Sequence, residues 1–184
     1  MIVILYAHPY PDRSRANRAL LRSVEDLPYV SLRSLYDLYP DFAIDVQAEQ
    51  RALADASAVV LQHPMYWYSV PGLLKLWFDK VLARGWAYGD GGDALAGKRC
   101  LWVTTTGAPE SGFSPEGMHG HTFQAFVPAI EQTVRFCKMR WEEPLVLHGA
   151  HRVDDERIAE LARSYRARLE ALAGAGAGAG GETL

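Results

Sequence analysis

The stretch Val59 to Leu82, VVLQHPMYWYSVPGLLKLWFDKVL, changes its periodicity twice and decides the fold. Ala58 to Leu61 is a continuous apolar run, the pattern of a short strand buried on both faces of a parallel sheet. His63-Pro64-Met65-Tyr66-Trp67-Tyr68-Ser69 keeps neither strand nor helix period and reads as a loop crowded with aromatics. Pro71 stands where a helix can begin, since the first helical position needs no N–H donor. Leu73, Leu74, Trp77, Phe78 and Val81 then recur at helical spacing. A strand, a loop and an amphipathic helix in succession are half of a βαβ unit. Ligands of open α/β sheets sit beyond the carboxyl ends of the strands. Adjacent aromatics exposed at such an end gain little unless they cover something flat.

The same alternation extends outward in both directions. Ile2 to Ala7 is a first strand, and Pro9 and Pro11 exclude helix from the loop that follows it. A helix from Arg15 carries Ala16, Ala19, Leu20, Val24 and Leu27 on one face, with Ser14 as its N-cap. Val30 to Leu35 is a weaker strand, Tyr36 to Phe42 a loop, and Val46 to about Ala56 a polar helix. After the strand Ala58–Gln62 and the helix Gly72–Ala83 comes a glycine-rich excursion, Gly85-Trp86-Ala87-Tyr88-Gly89-Asp90-Gly91-Gly92. Lys98 to Thr106 is a fourth strand, His121 to Phe136 a helix, and Glu142 to His148 a fifth strand. The last helix runs from about Asp154 to Leu172, capped by Asp154 or Asp155. Such an order predicts an α/β fold, a doubly wound five-stranded parallel sheet of order 2-1-3-4-5. Residues 1–172 read as one domain. The alternating Ala and Gly that follow have nothing to bury, so 173–184 reads as a flexible tail.

Composition narrows the function. Of 184 residues 49% are hydrophobic and 22% charged, as in an ordinary globular domain. A net charge of −3 argues against nucleic acid or an anionic membrane as the main partner. Cys100 and Cys137 are far apart in sequence, without a C-x-x-C spacing, and read as buried reduced thiols. The opening MIVILYAHP lacks a basic n-region and is too short to export or span, so it reads as a core strand of a cytoplasmic protein.

The loops after strands one, three and four should meet on one edge of the sheet. In the first, His8, Ser14, Arg15 and Asn17 place side-chain donors around a helix start, where free N–H groups favour anions. The set suits a phosphate ester; alternatively Ser14 only caps the helix and Asn17 is solvated. Thr104-Thr105-Thr106-Gly107 offers hydroxyls and a closely approachable backbone to the edge of a heterocycle, and Met65 to Tyr68 would cover another edge. A phosphate at one end and a flat hydrogen-bonding ring at the other describe flavin mononucleotide. The histidines, including His119 and His121, have no companions at metal-ligand spacing, and no G-x-S-x-G occurs.

The strings AHPYPDRSRAN, QHPMYWYSVPGLLKLWFDKV, GWAYGDGG and TTTG, in this order, resemble the flavodoxin-like NAD(P)H:quinone oxidoreductases over nearly the whole chain to about residue 172. Within that family the chain looks most like the ancillary oxidoreductase subunits of bacterial glutathione-regulated potassium-efflux systems. The resemblance implies a flavodoxin-like fold and a site in which His8, Ser14, Arg15, Ala16 and Asn17 hold the phosphate and ribityl chain of FMN. Met65, Tyr66, Trp67, Tyr68 and Thr105, Thr106, Gly107, Ala108 would line the ring; the short chain favours FMN over FAD. It implies two-electron ping-pong transfer from NADH or NADPH to a quinone, with His119 and Tyr88 as catalytic residues. Phe113 stands where the family has a tyrosine, which leaves His119 alone or assisted by water. The resemblance further implies a homodimer in which Tyr88 reaches the partner's substrate. The face with Trp77 and Phe78 serves the interface or the core. A potassium-efflux antiporter becomes a candidate partner, which would hold the protein peripherally on the inner face of the membrane. A flavodoxin-type electron carrier is the less favoured alternative.

Overall fold

The computed structural model describes residues 1–177. Strands β1 (Ile2–Tyr6), β2 (Val30–Ser34), β3 (Ala58–Pro64), β4 (Arg99–Thr105) and β5 (Arg140–Leu147) alternate with helices α1 (Arg15–Arg22), α2 (Leu35–Leu38), α3 (Val46–Ala54), α4 (Gly72–Val81), α5 (Pro128–Phe136) and α6 (Asp155–Ala177). The strands form one parallel sheet in the order β2-β1-β3-β4-β5, as expected. From β1 the chain moves outward to β2 and then crosses back to β3. The loops after β1 and β3 therefore leave on opposite sides and open a crevice between them.

Strand alternation sorts the core into two layers. Val3, Leu5, Val59, Leu61, Cys100 and Trp102 face the α3–α4–α5 side, against Leu53, Leu74, Trp77, Ile130 and Val134. Ile2, Ile4, Val60, Leu101 and Val103 face α1 and α6, against Leu20, Val24, Tyr165, Leu169 and Leu172. β1 and β3 are buried on both faces, which is why they read as unbroken apolar runs. Both cysteines are free and buried.

Several elements depart from the sequence reading, among them β3, which runs on through His63 and Pro64 of the expected loop. Leu35–Leu38 is a short helix inside the expected loop. The helix expected from His121 begins only at Pro128, after a separate 3-10 turn Phe123–Phe126; proline has no N–H to donate and is suited to a first helical position. Of the two alternatives for the α4 face, Trp77 takes the core, being 2% exposed, while Phe78 stays half-buried beside it. The last helix continues past Leu172 to Ala177, anchored by buried Leu169 and Leu172, although Gly174 and Gly176 each disfavour helix by about 1 kcal/mol. Residues 173–177 are thus helical, and the rest of the expected tail lies outside the described residues.

The α3 helix also carries an acid that its polar sequence does not mark. Glu49 is 0% exposed and accepts from Arg33 Nε at 2.8 Å, Tyr39 Oη at 2.5 Å and Trp77 Nε1 at 2.9 Å. These bonds tie edge strand β2 to α3 and α4. No helix among the described residues is long and apolar enough to cross a membrane.

Candidate functional site

The crevice between β1 and β3 is built first from the loop leading into α1. Ser14 has extended backbone and caps the helix: its Oγ accepts from Asn17 N at 3.2 Å, leaving other first-turn N–H groups for a ligand. His8 is nearly buried, and burial holds its pKa below the ordinary histidine value. Its Nδ1 accepts from Tyr10 N at 3.0 Å, so the neutral ring carries its proton on Nε2, a donor toward the crevice. Asn17 is 1% exposed. Its Nδ2 donates to Thr105 Oγ1 at 3.0 Å, while its Oδ1 is buried with no partner. Arg15 reaches outward to the Val153 carbonyl and Asp155, tying α1 to the loop after β5. These residues and Ala16 share a cleft of about 550 Å³ with Met65, Tyr66, Thr105, Thr106 and Gly107. Arg13 and Arg15 line it and no carboxylate does, a balance that suits a bound anion.

The loop after β3 supplies the second wall. Met65 N donates to the Thr105 carbonyl at 2.8 Å, and Tyr66 and Ser69 exchange backbone bonds at 3.1 and 3.0 Å. The tight turn puts Trp67 and Tyr68 at φ +48° and +63°, a left-handed conformation that costs bulky side chains of order 1 kcal/mol or more each. Tyr68 recovers contact by stacking on Phe126 at 5.1 Å and meeting the His119 ring edge-on at 5.5 Å. Trp67 is left 92% exposed at the tip.

The loop after β4 closes the third side. Thr106 Oγ1 donates to the Ala108 carbonyl at 2.8 Å and lies 3.0 Å from His148 Nδ1. Beyond it the chain doubles back tightly. A Cβ on Gly117 would lie 2.5 Å from the Gly112 carbonyl oxygen, so only glycine fits. That reversal brings His119 N to the Gly112 carbonyl at 3.1 Å and sets the His119 ring 4.4 Å from Phe113. His119 Nε2 is buried without a partner. Met65, Trp67, Tyr68, Thr106, Gly107, Ala108, Phe113 and His119 line a second hollow of about 200 Å³. Because Met65, Thr106 and Gly107 line both hollows, the two are neighbours along one trough.

The trough offers an anion site at a helix start, an orphaned amide oxygen suited to a hydroxyl, and an aromatic hollow with one orphaned imidazole nitrogen. A phosphate, a polyol chain and a flat ring meet those needs in order, so the residues present fit FMN. A family model described as the flavodoxin-like fold matches residues 1–169. The chain belongs to that family. It is 52% identical to the glutathione-regulated potassium-efflux system ancillary protein KefF of Klebsiella pneumoniae (strain 342), covering 92% of this chain and 94% of that protein. In three dimensions it resembles general stress protein 14 of Treponema denticola, solved in complex with FMN, at TM-score 0.86 and 33% identity, covering 93% of this chain and 98% of that one. An NADPH-quinone reductase from P. pentosaceus superposes at TM-score 0.82 and 26% identity, over 90% and 95% of the two chains.

Against this flavodoxin-like trough, each residue assigned to the site lines one hollow or the other except Tyr88 and Thr104, the latter being buried with its hydroxyl donating to the His63 carbonyl at 2.9 Å. Tyr88 instead packs its ring 5.0 Å from Phe136, in a separate groove between α4 and α5. Sequence reading passed over His148 and His151, which enter from the strand end and loop of β5. His148 rests 5.0 Å from Phe113, and burial lowers its pKa while Glu110 opposes the shift. Its position at the end of a parallel strand was the available signal.

Proposed function

We propose that this chain is a flavin-dependent NAD(P)H:quinone oxidoreductase that works as a homodimer. One observation carries the reading: an anion-binding cleft and an aromatic hollow lie side by side, each with a buried polar atom that lacks a partner, Asn17 Oδ1 and His119 Nε2. Bound FMN would supply the two-electron chemistry, relaying hydride from NAD(P)H to a quinone or similar electrophile in ping-pong fashion.

The protein's own part is binding, orientation and charge. Ser14 to Asn17 and His8 Nε2–H hold the phosphate and ribityl end. Met65, Thr105 and Gly107 border the ring, and the aromatics Trp67 and Tyr68 flank the slot that donor and acceptor occupy in turn. His119 Nε2 is placed to hydrogen-bond the acceptor oxygen; phenylalanine at 113 offers no hydroxyl and Tyr68 meets the imidazole only edge-on, so a proton passes through the imidazole or water.

A second role is favoured by the KefF likeness: an ancillary subunit docked peripherally on a potassium-efflux antiporter, with the reductase activity secondary. The two roles can coexist. The test is to release flavin by heating, identify it, and follow NADH- and NADPH-driven quinone reduction by the isolated protein. FMN release and parallel double-reciprocal lines are expected. His119→Ala should retain FMN and slow turnover about a hundredfold, the low end of acid–base contributions. A colourless protein unable to take up FMN overturns the proposal, and turnover only in the presence of an antiporter moves the primary role to the second reading.

A further inference from the structure

Behind the α1 start lies a buried polar chain in an otherwise apolar interface. Gln62, 0% exposed at the end of β3, donates from Nε2 to the Asn17 carbonyl at 3.0 Å and accepts at Oε1 from Tyr165 Oη at 3.1 Å. Tyr165, also 0% exposed, comes from the middle of α6 and is surrounded by Leu20, Val24, Leu169 and Leu172. The direction of the chain is forced. The Asn17 carbonyl only accepts, so the Gln62 amide must turn its nitrogen there and its oxygen to the phenol. Asn17 differs: Thr105 Oγ1 can donate or accept, so the Asn17 amide can present either atom to the cleft. One end of the chain is therefore rigid and the other is left to a ligand.

A leucine and a phenylalanine would fill this interface without the cost of burying an amide and a phenol. The bonds instead end on the residue whose side chain faces the cleft. We propose that Gln62 and Tyr165 are positioning residues for the cofactor site, holding the first turn of α1 so that Asn17 and the Ser14-capped N–H groups face the ligand. The inference rests on the flavin reading and extends it to α6, which packs beside α1 on the same face of the sheet. Removing the phenol leaves Gln62 Oε1 buried without its donor and loosens the amide that adds a second bond to the Asn17 carbonyl.

The test uses the full chain stripped of flavin, with FMN affinity read by quenching of flavin fluorescence and apoprotein melting read in parallel. Tyr165→Phe should raise the FMN Kd about fivefold, the factor one net hydrogen bond carries. It should also lower apoprotein melting, since Gln62 Oε1 is left buried without a donor; the loss of affinity is the readout that a merely structural bond would not give. Gln62→Met should weaken FMN by at least as much, and the double variant should be no worse than Gln62→Met, because both act through one bond path. If Gln62→Met does not fold, Gln62→Asn, whose shorter amide falls short of Asn17, takes its place. A Tyr165→Phe protein that binds FMN within twofold of wild type overturns the inference, and so do losses that add in the double variant; the flavin reading survives both results. A wild-type chain that binds no FMN overturns reading and inference together.

Discussion

His63 stands fully buried at the end of β3, one residue beyond Gln62. Burial pushes its pKa down to about 4, with its bond to the Pro64 carbonyl opposing the shift. Trp102 Nε1 donates to its Nε2 at 2.8 Å and its Nδ1 lies 2.9 Å from the Pro64 carbonyl, which fixes the neutral ring with its proton on Nδ1. The unfolded chain takes up a proton near pH 6.5. Stability from this residue is therefore intact above pH 6.5 and is lost as pH falls toward 4. Urea denaturation at pH 7.5 and 4.5 should show wild type losing about 2–3 kcal/mol more than His63→Gln between those values; equal losses would show that the buried ring protonates freely. The same neighbourhood shows what a sequence hides at this scale. Ser14 is legible because a cap and the N–H it serves lie three residues apart. The burial of Gln62, His63 and Asn17 is not, because the partners that satisfy it, Tyr165, Trp102 and Thr105, are remote in sequence.

Among elements, the sheet was readable almost whole, since a parallel strand buried on both faces is a run of apolar residues and needs no partner to be recognised. Helix ends were harder. Pro128 alone marks where α5 begins, and the end of α6 depends on how far Leu169 and Leu172 stay packed. The α3 helix looked like a solvated polar element, yet Glu49 is its deepest residue and the junction of β2, α3 and α4. Arg33, whose pKa is raised first by its hydrogen bond to Glu49, would be left with a poor partner if the charge were removed. Glu49→Gln should cost about 3 kcal/mol, since a partly buried guanidinium loses its counter-charge. Trp77→Phe, which removes one donor and keeps the ring, should cost about 1 kcal/mol. Chemical denaturation measures both. FMN affinity should stay at the wild-type level in each, because this network lies away from the trough; an equal cost for the two variants would mean that the carboxylate charge is not what organises the junction.

For the whole molecule, the question is why Tyr88 stands apart from the trough. Its ring leans on Phe136, which is 59% exposed at the end of α5, and Phe78 and Leu82 of the α4 side complete an open groove of about 490 Å³. Such a face, turned to solvent beside a tyrosine implied to act on substrate, fits a two-fold interface in which each copy completes the other's slot. Phe136→Glu should convert a dimer seen by light scattering into a monomer, with FMN retained and quinone turnover lost. Mixing variants then separates a shared site from a private one. Co-express His119→Ala with Tyr88→Ala and isolate the mixed dimer. If Tyr88 serves the opposite copy, one slot loses both residues and the other keeps both, so about half of the wild-type activity returns. If Tyr88 serves its own copy, each slot of the mixed dimer lacks one of the two residues and no activity is regained; if it serves neither copy, the Tyr88→Ala homodimer is already fully active, which is measured first.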